Sequence, residues 1–221
     1  MRPINKGIAP AEKFKQYKDA EPFLEKRIGA YCSYCELPLQ HAPEVEHKES
    51  KSCGGDLTAW ENLLLACKYC NTRKGAIVAA GEAGNYLWPD QDDTFHVFSY
   101  EQSIPRLNEA YLTTQDPVVR QRAENLFKLV QLDHVPGCIK DKDRRNKCRN
   151  EAMNCARISK QGLQSMANEE DRRIYRGQIL LLAKFSGFFS VWMTIFHDDS
   201  ETMKALIQAF PGTERRFFVE N

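Results

Sequence analysis

Two Cys-x-x-Cys pairs, Cys32/Cys35 and Cys67/Cys70, stand with 31 residues between them. One pair offers two of the four ligands that a tetrahedral zinc site takes, so the two pairs together predict that both ends of this stretch meet at one ion. Eight cysteines in 221 residues is a modest density, and only these four have ligand spacing. A chain of this length buries about 70–75% of its unfolded surface, so zinc is needed where loops dominate and not for the whole fold. The opening stretch MRPINKGIAPAEKF has no apolar run like that of a signal peptide. The expected compartment is the cytoplasm, where paired cysteines mean metal more often than disulfide.

The stretch between the pairs carries Glu46-His47 and Asn62, and Asn71 follows Cys70 directly. These are the residue types that metal-assisted hydrolysis of a phosphodiester needs. Histidine, with an ordinary pKa near 6.5, can act as a base without a large shift. A hard cation such as Mg²⁺ or Mn²⁺ takes oxygen ligands and keeps several waters, so the Glu46 carboxylate and the Asn71 amide are enough to hold it. The thiols favour zinc, which lets one finger hold two ions by ligand softness.

Charge is uneven along the chain although the net value is +1. Residues 1–30 carry seven Lys/Arg and four Asp/Glu, hence +3; residues 31–90 carry five and eight, hence −3. A net acidic finger cannot hold nucleic acid strongly by counterion release alone, so help in capturing a substrate is expected.

The chain divides into an N-terminal helical segment over 1–30, a finger over 31–100 and a helical region over 101–221. Short helices are expected over 10–18 and 20–28, the second with Asp19 as N-cap, Pro22 in its first turn and Gly29 as its stop. Phe14, Tyr17, Phe23, Leu24 and Ile28 are expected to pack on the finger. There, a hairpin is expected to set Leu37 and Leu39 against Val45, with Leu63–Ala66 as a buried strand and a helix starting near Asn71. Alternation on a strand sends Glu46 and His47 to opposite faces, so the strand must end or bulge there for both to serve one site. Thr94–Tyr100 reads as a strand. Asp116-Pro117 opens a helix with Val119, Ala123, Leu126, Phe127 and Val130 on its apolar face, and a further helix covers about 140–166. Ile179–Phe196 has one charge, Lys184, and reads as a buried helix of a bundle; a spanning helix wants about 20 apolar residues. Asp198, Asp199 and Ser200 cap the last helix, which Pro211-Gly212 ends.

Residues 32–75 resemble the HNH nuclease family, on the strength of CSYC, VEH, ENLLLACKYC and CNTRKG in this order. The resemblance implies an α+β fold: a ββα-metal HNH finger with a four-cysteine zinc site, followed by a mainly α-helical C-terminal region. It implies His47 as general base, Glu46 and Asn71 as ligands of a catalytic Mg²⁺ or Mn²⁺, and Asn62 as the asparagine that ties the loop between the strands. Cys32, Cys35, Cys67 and Cys70 match structural zinc ligands, and Lys74, on the first helical turn, and Arg73 match phosphate contacts. Asn71 stands where many members have a second histidine. Over about residues 1–100 the segments MRPI, CSYCE, VEH, ENLLLACKYCNTRKG and YLWPDQDDTF are similar to nuclease subunits of Septu and retron-associated anti-phage systems. That similarity implies an ABC-type ATPase as partner, a nucleic acid substrate and no membrane.

Other readings of the same residues are a tRNA- or other RNA-cleaving effector, and a non-catalytic zinc finger that binds a partner. His96 is expected on a strand face rather than at a metal. Cys148 and Cys155 read as core residues, and a second metal site through His134 and Cys138 matches no zinc spacing. The basic run Lys140–Arg149, six positive and two negative, reads as a solvated helix face or a contact with nucleic acid or a partner.

Overall fold

Cys32 and Cys67 each open a tight turn in which the thiol sulfur accepts the backbone N–H three residues on, from Cys35 at 3.5 Å and from Cys70 at 3.4 Å. These two knuckles organise the first half of the chain. The computed structural model describes residues 1–100, 102 and 104–218. It is α+β: two small antiparallel sheets, with about half of the residues in helices.

Helix α1 (Glu21–Ile28) has Pro22 in its first turn and stops at Gly29, φ +74°. It buries Leu24 and Ile28 and packs on β2. Residues 10–16 are irregular rather than helical, and only Tyr17–Ala20 forms a 3₁₀ turn. The Asp19 carboxylate explains this, because it accepts the N–H groups of Lys15 and Gln16 and turns the backbone locally.

Strand β1 (Glu44–His47) pairs with β2 (Leu63–Ala66), with Glu44 opposite Ala66 and His47 opposite Leu63. The partner of Val45 is thus Leu65, and the expected arm at Leu37–Leu39 is not a strand. That segment instead closes the first knuckle: Glu36 takes φ +67°, Cys32 donates to Leu37 O, and Tyr31 bridges Pro38. All four residues of β2 are buried, which accounts for their unbroken apolar run. Helix α2 (Lys68–Lys74) starts three residues before the expected Asn71, because the Cys67 sulfur is its N-cap. A two-stranded sheet is marginal by itself. Here α1 covers β2 and α2 packs on β1.

Strands β3 (Phe98–Ser99) and β4 (Arg106–Leu107) make the second sheet. Residues 94–97 turn instead of extending β3, since Asp93 accepts the N–H groups of Phe95 and His96. Then come α3 (Glu109–Leu112) and α4 (Pro117–Leu129), the latter capped by Asp116 on Val118 N. The long helix α5 (Arg145–Ser165) begins later than residue 140, where Asp141 and Asp143 accept N–H groups in a turn. The apolar core of the finger is continuous across residue 100: it takes in Leu112, Ala123, Leu126 and, from α5, Ala152 and Met153. A second core joins Ala156 and Leu163 of α5 to the last three helices.

Residues 179–196 are two helices, not one: α6 (Glu169–Ser186) and α7 (Phe189–Ile195), broken at Gly187 (φ +70°) and Phe188 (φ +55°). Among the described residues no helix is long and apolar enough to cross a membrane. The break lets α7 dock on the first knuckle. Phe188 N donates to Glu36 O, while Ser190 N and Oγ donate to the Glu36 carboxylate. A Cβ on Gly187 would stand 2.6 Å from Glu36 O, in a backbone region that costs other residues about 1–2 kcal/mol. Gly187→Ala is expected to lower stability by about 2–3 kcal/mol, a fall in Tm of roughly 5–10 °C in thermal unfolding. An unchanged Tm would show that the knuckle does not depend on this contact. Helix α8 (Ser200–Ala209), capped by Asp199 on Thr202 N, closes the bundle.

Candidate functional site

The four cysteines at the knuckles are buried, and their sulfurs lie within 4.8 Å of one another. Cys35 Sγ and Cys67 Sγ are 3.6 Å apart. A disulfide needs about 2.0 Å, whereas tetrahedral Zn–S bonds of about 2.3 Å place sulfurs roughly 3.8 Å apart. The donor set therefore fits zinc. Electrostatics agree. Burial raises the Cys32 thiol, but hydrogen bonds from the other three cysteines outweigh it and hold Cys32 well below its ordinary pKa. Burial and the neighbouring thiols push Cys35 and Cys70 well above theirs. Protein groups alone leave the cluster short of positive charge, which a divalent cation supplies.

One cation does reach the sulfurs. Arg145 Nη1 donates to Cys70 Sγ at 3.3 Å and to Val130 O at 2.8 Å, while the same guanidinium grips Asp143. Asp143 also accepts Arg73 Nε at 3.2 Å. The basic run is therefore partly internal: Arg145 and Arg149 are buried, against the expectation for those two, while Lys140, Lys142, Arg144 and Lys147 are exposed. Elsewhere His96 pairs with Asp93 and His134 with Asp141. Among the described residues the four knuckle cysteines are the sole cluster of three or more His, Cys, Asp or Glu close enough to share an ion. Metal analysis is expected to find one zinc per chain, unchanged in Cys53→Ser and Cys138→Ser; two zincs would contradict this.

The chemistry-bearing residues meet at the end of β1. A cavity of about 130 Å³ is lined by Tyr17, Val45, Glu46, His47, Ser50, Lys51, Asn71 and Gly75. Strand β1 ends at His47, so Glu46 and His47 contribute to one cavity despite different surroundings. The His47 ring lies against Tyr17, centroids 4.9 Å apart, and its Nε2 is 3.0 Å from Leu57 O. A carbonyl only accepts, so Nε2 carries the proton and Nδ1 is left with a lone pair. Burial first, then the charges of Lys51 and Lys74, lower the imidazole pKa, which keeps the ring neutral near pH 7.

Glu46 is buried, with Tyr34 OH on Oε2 at 2.5 Å and Lys74 Nζ 2.7 Å from Oε1. Burial raises its carboxyl to about 7, with Lys74 opposing. Lys74 is the last residue of α2 and wholly buried, so the expectation of a first-turn lysine facing phosphate is corrected. Its ammonium makes this ion pair but no well-aligned hydrogen bond. Arg73 is likewise engaged, by Asp143 and Gln131. Asn71 Nδ2 donates to Glu44 Oε2 at 2.7 Å, so its amide oxygen stays available as a ligand. Asn62 spans the loop after β1: it accepts Glu49 N and donates to Glu49 O and Asp56 O. A carboxylate and an amide oxygen on one cavity suit a hard divalent cation.

Sequence reasoning missed Tyr17, Lys51, Glu44 and the Leu57 carbonyl. Only Lys51, a cation four residues after His47, had a sequence signal; the others reach the cavity through the fold. No curated protein and no solved structure matches the chain. The segment from Cys32 to just past α2, residues 32–76, matches the family model HNH endonuclease, which covers both knuckles, the β1–β2 pair and the His47 cavity.

Proposed function

We propose that this chain is a metal-dependent endonuclease that hydrolyses phosphodiester bonds, with His47 as general base. The observation that carries the reading is the cavity itself. A structural zinc clasp needs neither a histidine held in one tautomer by Leu57 O nor an oxygen pair from Glu46 and Asn71 beside it. Nδ1 of His47 takes the proton of the attacking water. Glu46 and Asn71 would hold Mg²⁺ or Mn²⁺, which would supply charge stabilisation for phosphodiester hydrolysis. Lys74 shares the Glu46 charge and keeps the carboxylate seated. Asn62 fixes the loop that carries Leu57, and so fixes the base.

The chain acts as the effector subunit of a cytoplasmic anti-phage complex, together with an ABC-type ATPase. Two considerations support this: the resemblance of segments within its first 100 residues to Septu subunits, and the −3 charge of the finger, which calls for a partner to bring the substrate in. The test incubates the purified chain, with and without an ABC-type ATPase of such a system, against plasmid, single-stranded DNA and total tRNA in Mg²⁺, Mn²⁺ or EDTA. Cleavage that EDTA stops supports the reading, and the substrate cut separates a DNase from an RNase. Absence of metal-dependent cleavage under every condition overturns it.

A further inference from the structure

A nuclease needs a cation at the phosphate it cuts, and the two that the sequence offers are occupied elsewhere. Lys74 is buried on Glu46, and Arg73 is held by Asp143 and Gln131. The other cation on the His47 cavity is Lys51. It is exposed, and among the described residues it has no acidic partner. Its contact is with an aromatic face: Nζ lies 4.3 Å from the Tyr17 ring centroid. That ring in turn lies against His47. The nearest acid in sequence, Glu49, is turned away, its carboxylate accepting Gly81 N and Ala83 N.

The backbone under Lys51 is fixed although its head is free. Ser50 N donates to Val78 O, and Cys53 N and Gly55 N donate to Ser50 O. At Gly55 a Cβ would meet Glu49 O at 2.1 Å, so the loop cannot spread. Tyr17 comes from the N-terminal segment, whose +3 charge is thereby set against the acidic finger, with Lys13, Lys15 and Lys18 exposed along it.

Resting on the nuclease reading, we propose that Lys51 binds the phosphate of the nucleic acid strand at the His47 cavity. Tyr17 is the positioning residue that holds both Lys51 and the His47 ring. A lysine over an aromatic face keeps its charge and gives up little to turn onto a phosphate. The phosphate enters on the His47 side, while Lys74 serves Glu46 from within.

The test uses the full chain and fluorescent 20-mers of DNA and RNA in EDTA, so that binding is read without cleavage. Lys51→Met is expected to weaken binding about eightfold at 0.1 M salt and to reduce the salt slope by about 0.7–0.9, the value of one phosphate contact. Lys51→Arg should restore both. Tyr17→Ala is expected to lower kcat as well as affinity, with Tyr17→Phe recovering both because the ring suffices. Circular dichroism and zinc content check the fold of each variant. Binding by Lys51→Met with wild-type affinity and slope overturns the proposal, and so does a wild-type chain that binds neither strand even with the ATPase present. A wild-type chain that binds through Lys51 but cleaves nothing in Mg²⁺ or Mn²⁺ keeps the binding site and removes the nuclease reading.

Discussion

His47→Ala is expected to reduce phosphodiester cleavage by about 10²–10⁴-fold, the usual contribution of a general base, while zinc content stays at the wild-type level. The four knuckle thiols are the group that could hold zinc, and His47 is not among them. What the variant loses is the neutral base on the cavity, whose Nε2–H is donated to Leu57 O. It also loses one hydrogen bond and the contact with Tyr17, so a fall in stability of about 1–2 kcal/mol accompanies the loss of rate. His47→Gln separates the two effects, since its amide nitrogen can stand where Nε2 does and keep the bond to Leu57 O, but it cannot take a proton from water. The pH dependence has a definite sign. Burial and nearby lysines depress the folded-state pKa, so protonation is harder in the folded chain than in the unfolded one. Stability linked to His47 is therefore complete above about pH 6.5 and is lost as pH falls through and below that value. The acid limb that His47 itself sets should also lie below about pH 6.5. Single-turnover rates across pH check both points, and a variant as active as wild type would remove His47 from the mechanism.

The parts of the fold legible in the sequence are those whose cause is local. Ligand spacing places the two knuckles, a cap followed by proline places α4, and an apolar run of four places β2. Other elements depend on partners far along the chain. Leu37 and Leu39 alternate like a strand, but the knuckle around Cys32 uses their backbone first. Lys74 looks like a first-turn residue only if α2 begins at Asn71; the Cys67 sulfur moves the start back and turns Lys74 toward Glu46. The run Lys140–Arg149 has a surface composition. Yet Arg145 and Arg149 lie inside, because Asp143 and the carbonyls of Val130 to Leu132 are there to receive them. Of the candidate site, the reacting residues were visible as a motif. Tyr17 was not, since a tyrosine 30 residues before His47 has no periodic or motif relation to it.

Arg145→Met is expected to destabilise the chain by about 3–5 kcal/mol, the range for breaking a buried ion pair on one side. Asp143 would keep only Arg73 Nε, at 3.2 Å, and the backbone N–H of residue 145, and two backbone carbonyls, Val130 O and Gln131 O, would lose a donor. Burial pulls the Arg145 pKa down, but the Cys70 sulfur and the Asp143 carboxylate more than reverse this, so the guanidinium is held charged. Lysine is no substitute, because one ammonium cannot span the sulfur, two carbonyls and a carboxylate as the planar fork does. Four thiolates around Zn²⁺ leave two negative charges, and the N–H on Cys70 Sγ offsets part of them. Zinc transfer to a competing chelator should therefore be faster in Arg145→Met, and faster than in Gly187→Ala, which leaves the sulfurs untouched. The double variant Arg145→Met/Asp143→Leu should recover part of the stability, since no lone charge stays buried, but not the slow zinc release. Lys147, on the same helix but exposed and 3.9 Å from Glu151, is the control; Lys147→Ala should change stability by less than about 0.5 kcal/mol. Thermal unfolding at saturating zinc and chelator competition together decide the matter. A wild-type Tm with wild-type zinc release in Arg145→Met would mean that the helical region only rests on the zinc clasp; the predicted loss would mean that α5 helps to hold it closed.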